Sequence, residues 1–199
     1  MTLGPDFPPI DEGANDVQFS EFRRNLVNSI DKKSYDWAIA RIGNDIKYNY
    51  DEGNAKKELL KLWELMPQTK ELFFSELREC LVLGGQFMKF DDVTYFVAPY
   101  VHSAWPDDFD PSEHLAVTSV TASIYEKADD TLEPLEVARH TIVKQDLSSR
   151  AEGWHLVEYA DGKWGWIKDA DVRSPIDYRA FFERDYRGSY VLKTFLAGD

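Results

Sequence analysis

Apolar residues recur every three or four positions through the first eighty residues and every second position after that. This change of period divides the chain. Phe19, Phe22, Leu26, Val27 and Ile30 stand at helical spacing. Asp16 is placed to open that helix, because its carboxylate can accept an orphan backbone N–H. Ser34 is the expected cap of a second helix carrying Trp37, Ile39, Ile42 and Ile46, broken by the polar run 48–54. A third helix puts Leu59, Leu62, Trp63 and Met66 on one face, and Pro67 interrupts it. A fourth carries Phe73, Leu77, Cys80 and Leu81 and stops at Gly84-Gly85, since glycine readily ends a helix.

Beyond Gly85 the pattern is that of strands. Residues 86–90 and 93–97 alternate around Asp91-Asp92 and predict a hairpin. Residues 102–114 lack periodicity and contain Pro106 and Pro111, which predicts a linker. Strands are then expected at 117–125, 137–144, 153–159, 163–168 and 171–173. The last two long ones meet at Asp161-Gly162, a turn that needs positive φ. A terminal hairpin is expected from Asp177–Glu183 and Ser189–Phe195.

Both hairpins carry surplus apolar residues. One has Phe87, Met88, Phe90, Tyr95, Phe96 and Val97; the other has Tyr178, Phe181, Phe182, Tyr190, Val191, Leu192 and Phe195. An isolated hairpin is marginal in water and exposes its edges. The two are therefore expected to pair into a four-stranded antiparallel sheet covered by the helices. The alternative is that the terminal hairpin packs on the strand-rich segment before it.

Composition narrows the function. Of 199 residues, 43% are hydrophobic and 14% aromatic, enough for a sizeable core. Acids outnumber bases 36 to 23, for a net charge of −13. That balance argues against nucleic acid and against an anionic membrane surface, both of which need clustered Lys and Arg. The single cysteine, Cys80, allows no internal disulfide and falls on an apolar helical face. No transmembrane segment and no signal peptide is visible. Residues 1–16 read as a flexible lead-in, which would suit a mature secreted chain.

The most informative stretch is Gly153-Trp154, a few strand residues, Asp161-Gly162, and then Trp164-Gly165-Trp166. It resembles the bacterial Src-homology-3 family, whose members often show paired Gly-Trp units at this spacing around Asp-Gly. Asp169–Val172 stands where that family has a short helical turn and its last strand. The resemblance covers about a third of the chain. Two positions depart from it: Ser123-Ile124-Tyr125 replaces the family's frequent Asn-Val-Arg, and Ala138-Arg139-His140 stands where a glycine is usual. The resemblance implies a small β-barrel, the cell envelope or periplasm as compartment, and peptidoglycan or a peptide as ligand.

The ligand-binding candidates are Tyr125, Trp154, Tyr159 and Trp166, because aromatic anchors concentrate beside loops. For Trp154, Trp164 and Trp166 the alternative is packing in the core of a barrel too small to do without large rings. Of Trp164 and Trp166, one is expected buried and the other at the rim. Asp107, Asp108, Asp110, Glu113 and His114 cluster, yet they lack the glycine of a calcium loop, and Pro111 intrudes. No nucleophile–base pattern, phosphate loop or dinucleotide fingerprint is present. No catalytic residue, metal or cofactor is assigned.

The expected architecture is α+β: a lead-in at 1–16, a helical domain with antiparallel hairpins at 17–110, a small all-β Src-homology-3-like barrel at 115–175, and a hairpin at 176–199 that returns to the first domain. The expected function is non-catalytic binding or scaffolding in the bacterial cell envelope. The alternatives are an enzyme with its site in the N-terminal half and an intracellular protein–protein adaptor.

Overall fold

The computed structural model describes residues 4–50 and 55–198, apart from the side chain of Arg150. Residues 1–3 of the expected lead-in and 51–54 of the expected break lie outside the described residues. The fold is α+β, and the chain divides into two compact units: Ile10–Ala104 with Ile176–Asp199, and Met1–Pro9 with Trp105–Pro175.

The first unit opens with a short 3-10 turn at Glu12–Ala14 and then α1, Val17–Asp31. Asp16 caps α1 by accepting a 2.7 Å hydrogen bond from the Phe19 backbone N–H. Phe19, Phe22, Leu26 and Ile30 are buried along one face. The expected second helix is only α2, Asp36–Ala40, with no side-chain cap, and the chain then becomes strand β1, Ile42–Lys47. Ile42 and Ile46 are both buried there. A spacing of four suits one face of a strand as well as one face of a helix, and Gly43-Asn44-Asp45 between them are poor helix formers. Helices α3, Lys56–Leu65, and α4, Pro67–Val82, follow, with Pro67 in the first turn of α4, where its missing N–H costs nothing. Gly84 takes φ +77 just past the helix end. Strands β2, Gln86–Phe90, and β3, Val93–Ala98, form the expected hairpin and lead to the short helix α5, Tyr100–Ser103.

The second unit contains β4, His114–Val117; β5, Ala122–Ile124; β6, Glu136–Ala138; β7, Ile142–Ala151; β8, Trp154–Ala160; β9, Lys163–Lys168; and β10, Val172–Arg173. Two expected strands are each split. The 117–125 segment breaks at 118–121, and 137–144 breaks at His140, which has φ +39. Five strands make one sheet in the order β10-β4-β7-β8-β9, and β5 and β6 pair separately. By strand order the sheet is open, so the closed barrel expected at 115–175 is not formed as a continuous ladder. β10 has two residues, β5 has three, and β9 meets the chain after β5 only through a Tyr125–Trp166 bridge. Leu115, Val117, Ile124, Val143, Val157 and Ile167 are among the residues filling this unit's core.

Residues 4–7 are ordered within this unit, contrary to a flexible lead-in. Asp6 bridges Thr141, and Phe7 is buried with its ring edge-on to Trp105. The expected linker begins with α5 and contributes Trp105 to that contact.

The chain returns to the first unit with β11, Arg179–Arg184, and β12, Tyr190–Leu196. β11 pairs antiparallel with β3 through Ala180–Ala98, Phe181–Val97 and Phe182–Phe96, the pairing expected from the apolar surplus. The sheet has five strands rather than four, in the order β1-β12-β11-β3-β2, because β1 adds in parallel to β12. Phe19 of α1 lies at the centre of an aromatic cluster, 3.9 Å from Phe96 and 5.9 Å from Phe182 between ring centroids. Among the described residues no helix is long and apolar enough to cross a membrane.

Candidate functional site

The site is built on β8 and β9. Their antiparallel register sets Trp154 opposite Lys168, Leu156 opposite Trp166, and Glu158 opposite Trp164. Alternation puts these six side chains on one face and sends Val157, Gly165 and Ile167 into the core. Neither tryptophan of β9 is therefore buried. Trp164 is 38% exposed and Trp166 is half-buried, which corrects the expectation of one buried ring.

Gly165 explains how Tyr125 reaches this face. A Cβ at Gly165 would stand 2.5 Å from Ile124 Cγ2 and 3.0 Å from the Tyr125 carbonyl oxygen. Only glycine lets the chain after β5 lie this close to β9. Tyr125 and Trp166 then exchange both backbone hydrogen bonds, at 2.9 and 2.7 Å. Ile124 points inward and Tyr125 outward. The Tyr125 ring meets Trp154 edge to face, with centroids 5.7 Å apart and planes at 83°. Lys168 Nζ lies 5.8 Å from the Trp154 ring centroid and donates to Asp130 at 2.5 Å. That hydrogen bond to the carboxylate raises the lysine's pKa.

Three of the four candidates, Tyr125, Trp154 and Trp166, thus share one surface. Tyr159 does not join them. It packs on the core from the opposite face of β8 and borders a separate hollow of about 230 Å³ with Phe109 and His114.

Beside Trp154 the sheet opens into a groove of about 460 Å³, lined by Asp146, Ser149, Glu152, Trp154, His155 and Asp169 among others. A bulge makes it. Between the pairs Gln145–Val157 and Arg150–His155, four residues of β7 face one residue of β8. Asp146 holds the bulge by accepting from the Ser148 N–H and hydroxyl and from the Ser149 hydroxyl, which keeps its carboxyl below the usual range. His155 Nε2 lies 3.1 Å from Asp169 Oδ1 on the far wall. Across the Tyr125–Trp154 pair, the β5–β6 hairpin loop carries Glu126, Asp129, Asp130 and Glu133 with exposed Leu132 and Leu135.

Residues 105–175 hold fifteen acids against seven bases, a net of −8 of the chain's −13. The bulge and the Asp130–Lys168 pair had no signal in the sequence, because irregular register and ion pairing across separate segments leave no periodicity.

In the acidic cluster at 107–114, Asp110, Glu113 and His114 are committed to local structure. Asp110 accepts from Ser112, His114 Nδ1 lies 3.0 Å from the Asp110 carbonyl, and Glu113 pairs with Lys144 at 3.4 Å. Comparison with known proteins gives no family assignment: no protein-family model, no curated protein and no solved structure matches the chain.

Proposed function

We propose that residues 115–175 are a Src-homology-3-type binding module, and that the protein acts through it as a non-catalytic binding or scaffolding protein that takes an extended peptide across Tyr125, Trp154 and Trp166. The observation that carries this reading is the edge-to-face pair of Tyr125 and Trp154, set between an acidic hairpin loop and the acid-lined groove. Half-exposed rings beside loops give an extended ligand flat apolar surface at little entropic cost. The surrounding carboxylates favour a ligand with free amines or guanidinium groups. The strand order, with a hairpin between its first two strands and a 3-10 turn at Asp169–Asp171 before β10, supports the family reading. The resemblance implies the cell envelope as the setting and the amine-bearing stem peptides of peptidoglycan as the ligand.

The test is a titration of purified muropeptides into the full chain by calorimetry, with Trp154→Ala alongside. Replacement of such an anchor typically costs about 2 kcal/mol, so affinity is expected to fall roughly 30-fold. No heat up to millimolar ligand, or equal binding by Trp154→Ala, would overturn the reading.

A further inference from the structure

Residues 4–7 are bound to the second unit much as a short peptide is bound to a strand. The Phe7 N–H donates to the His140 carbonyl at 2.6 Å, and the Ile142 N–H donates to the Pro5 carbonyl at 3.2 Å. Asp6 and Thr141 form the antiparallel bridge between these two bonds. The Thr141 hydroxyl, buried at 2% exposure, donates to the Gly4 carbonyl at 2.8 Å and lies 3.0 Å from that of Pro5. The Phe7 ring is buried and meets Trp105 edge-on at 5.5 Å.

Positions 4, 5 and 7 each carry a preference. A Cβ at residue 4 would lie 1.9 Å from the Ile142 carbonyl oxygen, so only glycine enters. Residue 5 contributes a carbonyl to the slot, and proline there starts the segment in the extended region at small entropic cost. Residue 6 has its side chain exposed. Residue 7 fills the space against Trp105. The receiving groups are an open strand edge. Without a strand on it, the Ile142 N–H, the His140 carbonyl and the Thr141 hydroxyl have only water as partner in place of residues 4–7.

Four residues held by two ladder bonds, the Thr141 hydroxyl and one ring make a short element, of the kind that opens locally without unfolding the rest. Adding an extended segment to an open strand is a recurrent way for one chain to recognise another. The segment seen to fit, Gly-Pro-Asp-Phe, is carried by every copy of this chain. We propose that the slot formed by His140–Ile142 and Trp105 is an exchange site, at which residues 4–7 of one copy seat on a second copy. This inference uses none of the aromatic face of β8 and β9 and stands or falls separately from the ligand reading above.

The test separates slot from segment. Gly4→Val/Phe7→Ala in the full chain empties the slot, with Phe7→Leu as a milder variant if the double change proves poorly folded by circular dichroism. Thr141→Val/Trp105→Ala spoils the slot and leaves the segment intact. An acetylated, fluorophore-labelled Gly4–Pro9 peptide is titrated into each by anisotropy. A tethered segment has an effective concentration on the order of 1 mM. If the free peptide binds an empty slot at about 10 µM, the native chain is expected to bind it roughly 100-fold more weakly. The spoiled slot is expected to bind none. In sedimentation, the empty-slot variant mixed with the spoiled-slot variant should form a one-to-one heterodimer, while each alone stays monomeric. Failure of the peptide to bind the empty slot, or peptide binding without heterodimer formation, would overturn exchange between copies.

Discussion

Phe182 of β11 decides whether the terminal hairpin belongs to the helical unit. Its side chain is fully buried and meets Phe22 at 5.5 Å and Phe19 at 5.9 Å, both edge to face, on α1. Its backbone pairs with Phe96 of β3. Phe182→Ala removes a whole ring from a close-packed site, and such truncations cost about 3–5 kcal/mol, the spread depending on how far the cavity collapses. The unit comprises 10–104 and 176–199, about 120 residues. At roughly 2.1 cal/mol/K of unfolding entropy per residue, its unfolding entropy is about 250 cal/mol/K, so its midpoint should fall by about 12–20 °C. Phe181, one residue earlier and only half-buried, faces the other side of the sheet, and Phe181→Ala should cost about 1 kcal/mol. The assay is amide hydrogen exchange read by segment. A loss of 3–5 kcal/mol raises exchange through global opening by about two to four orders of magnitude. That acceleration is expected in α1 and α4, with β7 to β9 unchanged. Unchanged protection in α1 together with accelerated exchange across 142–168 would refute the assignment of the hairpin.

Two further outcomes test the packing. Gly165→Val forces a side chain against Ile124 and the Tyr125 carbonyl, which should cost about 1–3 kcal/mol and sever the Tyr125–Trp166 bridge; native-like protection of the Trp166 amide in that variant would contradict the geometry. Burial pushes the Tyr35 and Tyr100 hydroxyls up to about 12, aided at Tyr35 by its hydrogen bond to Glu71. The neutral forms are favoured in the folded state, so this stability is present below pH ~10, the ordinary tyrosine value, and is lost as pH rises toward 12. Absorbance at 295 nm of the folded protein should therefore keep rising above pH ~10 toward pH 12, and a tyrosinate signal already complete near pH 10 would count against it.

Much of the helical unit could be read from spacing, because α1, α3 and α4 each bury one stripe against one sheet. Ile42 and Ile46 show where spacing fails. Two residues four apart satisfy both periods, and only the parallel partner β12, some 150 residues later, decides for the strand. No local pattern carries that information. The pairing of β3 with β11 was legible for a different reason. Six apolar residues in one hairpin and seven in the other demand cover, and edge strands need partners. The ordered segment at 4–7 was invisible, since four residues with glycine and proline have no period, and their partner Thr141 lies far along the chain.

The binding face divides in the same way. Strict alternation already separated Trp154 from Tyr159, so grouping them in one site asked a single strand to present both faces at once. The structure resolves this by sending Tyr159 to the core side. Alternation equally required Trp164 and Trp166 to point together. Gly165 then decides which way: the face with no side chain is the one that Ile124 and Tyr125 can approach, so the core forms there and both indoles turn outward. What alternation could not supply is the third strand position, where Tyr125 arrives from about thirty residues upstream to stand against Trp154. The site therefore depends on one glycine. If a side chain at 165 holds Tyr125 off β9, the aromatic pair separates without any change to either ring, and ligand affinity should fall as far in Gly165→Ala as in Tyr125→Ala.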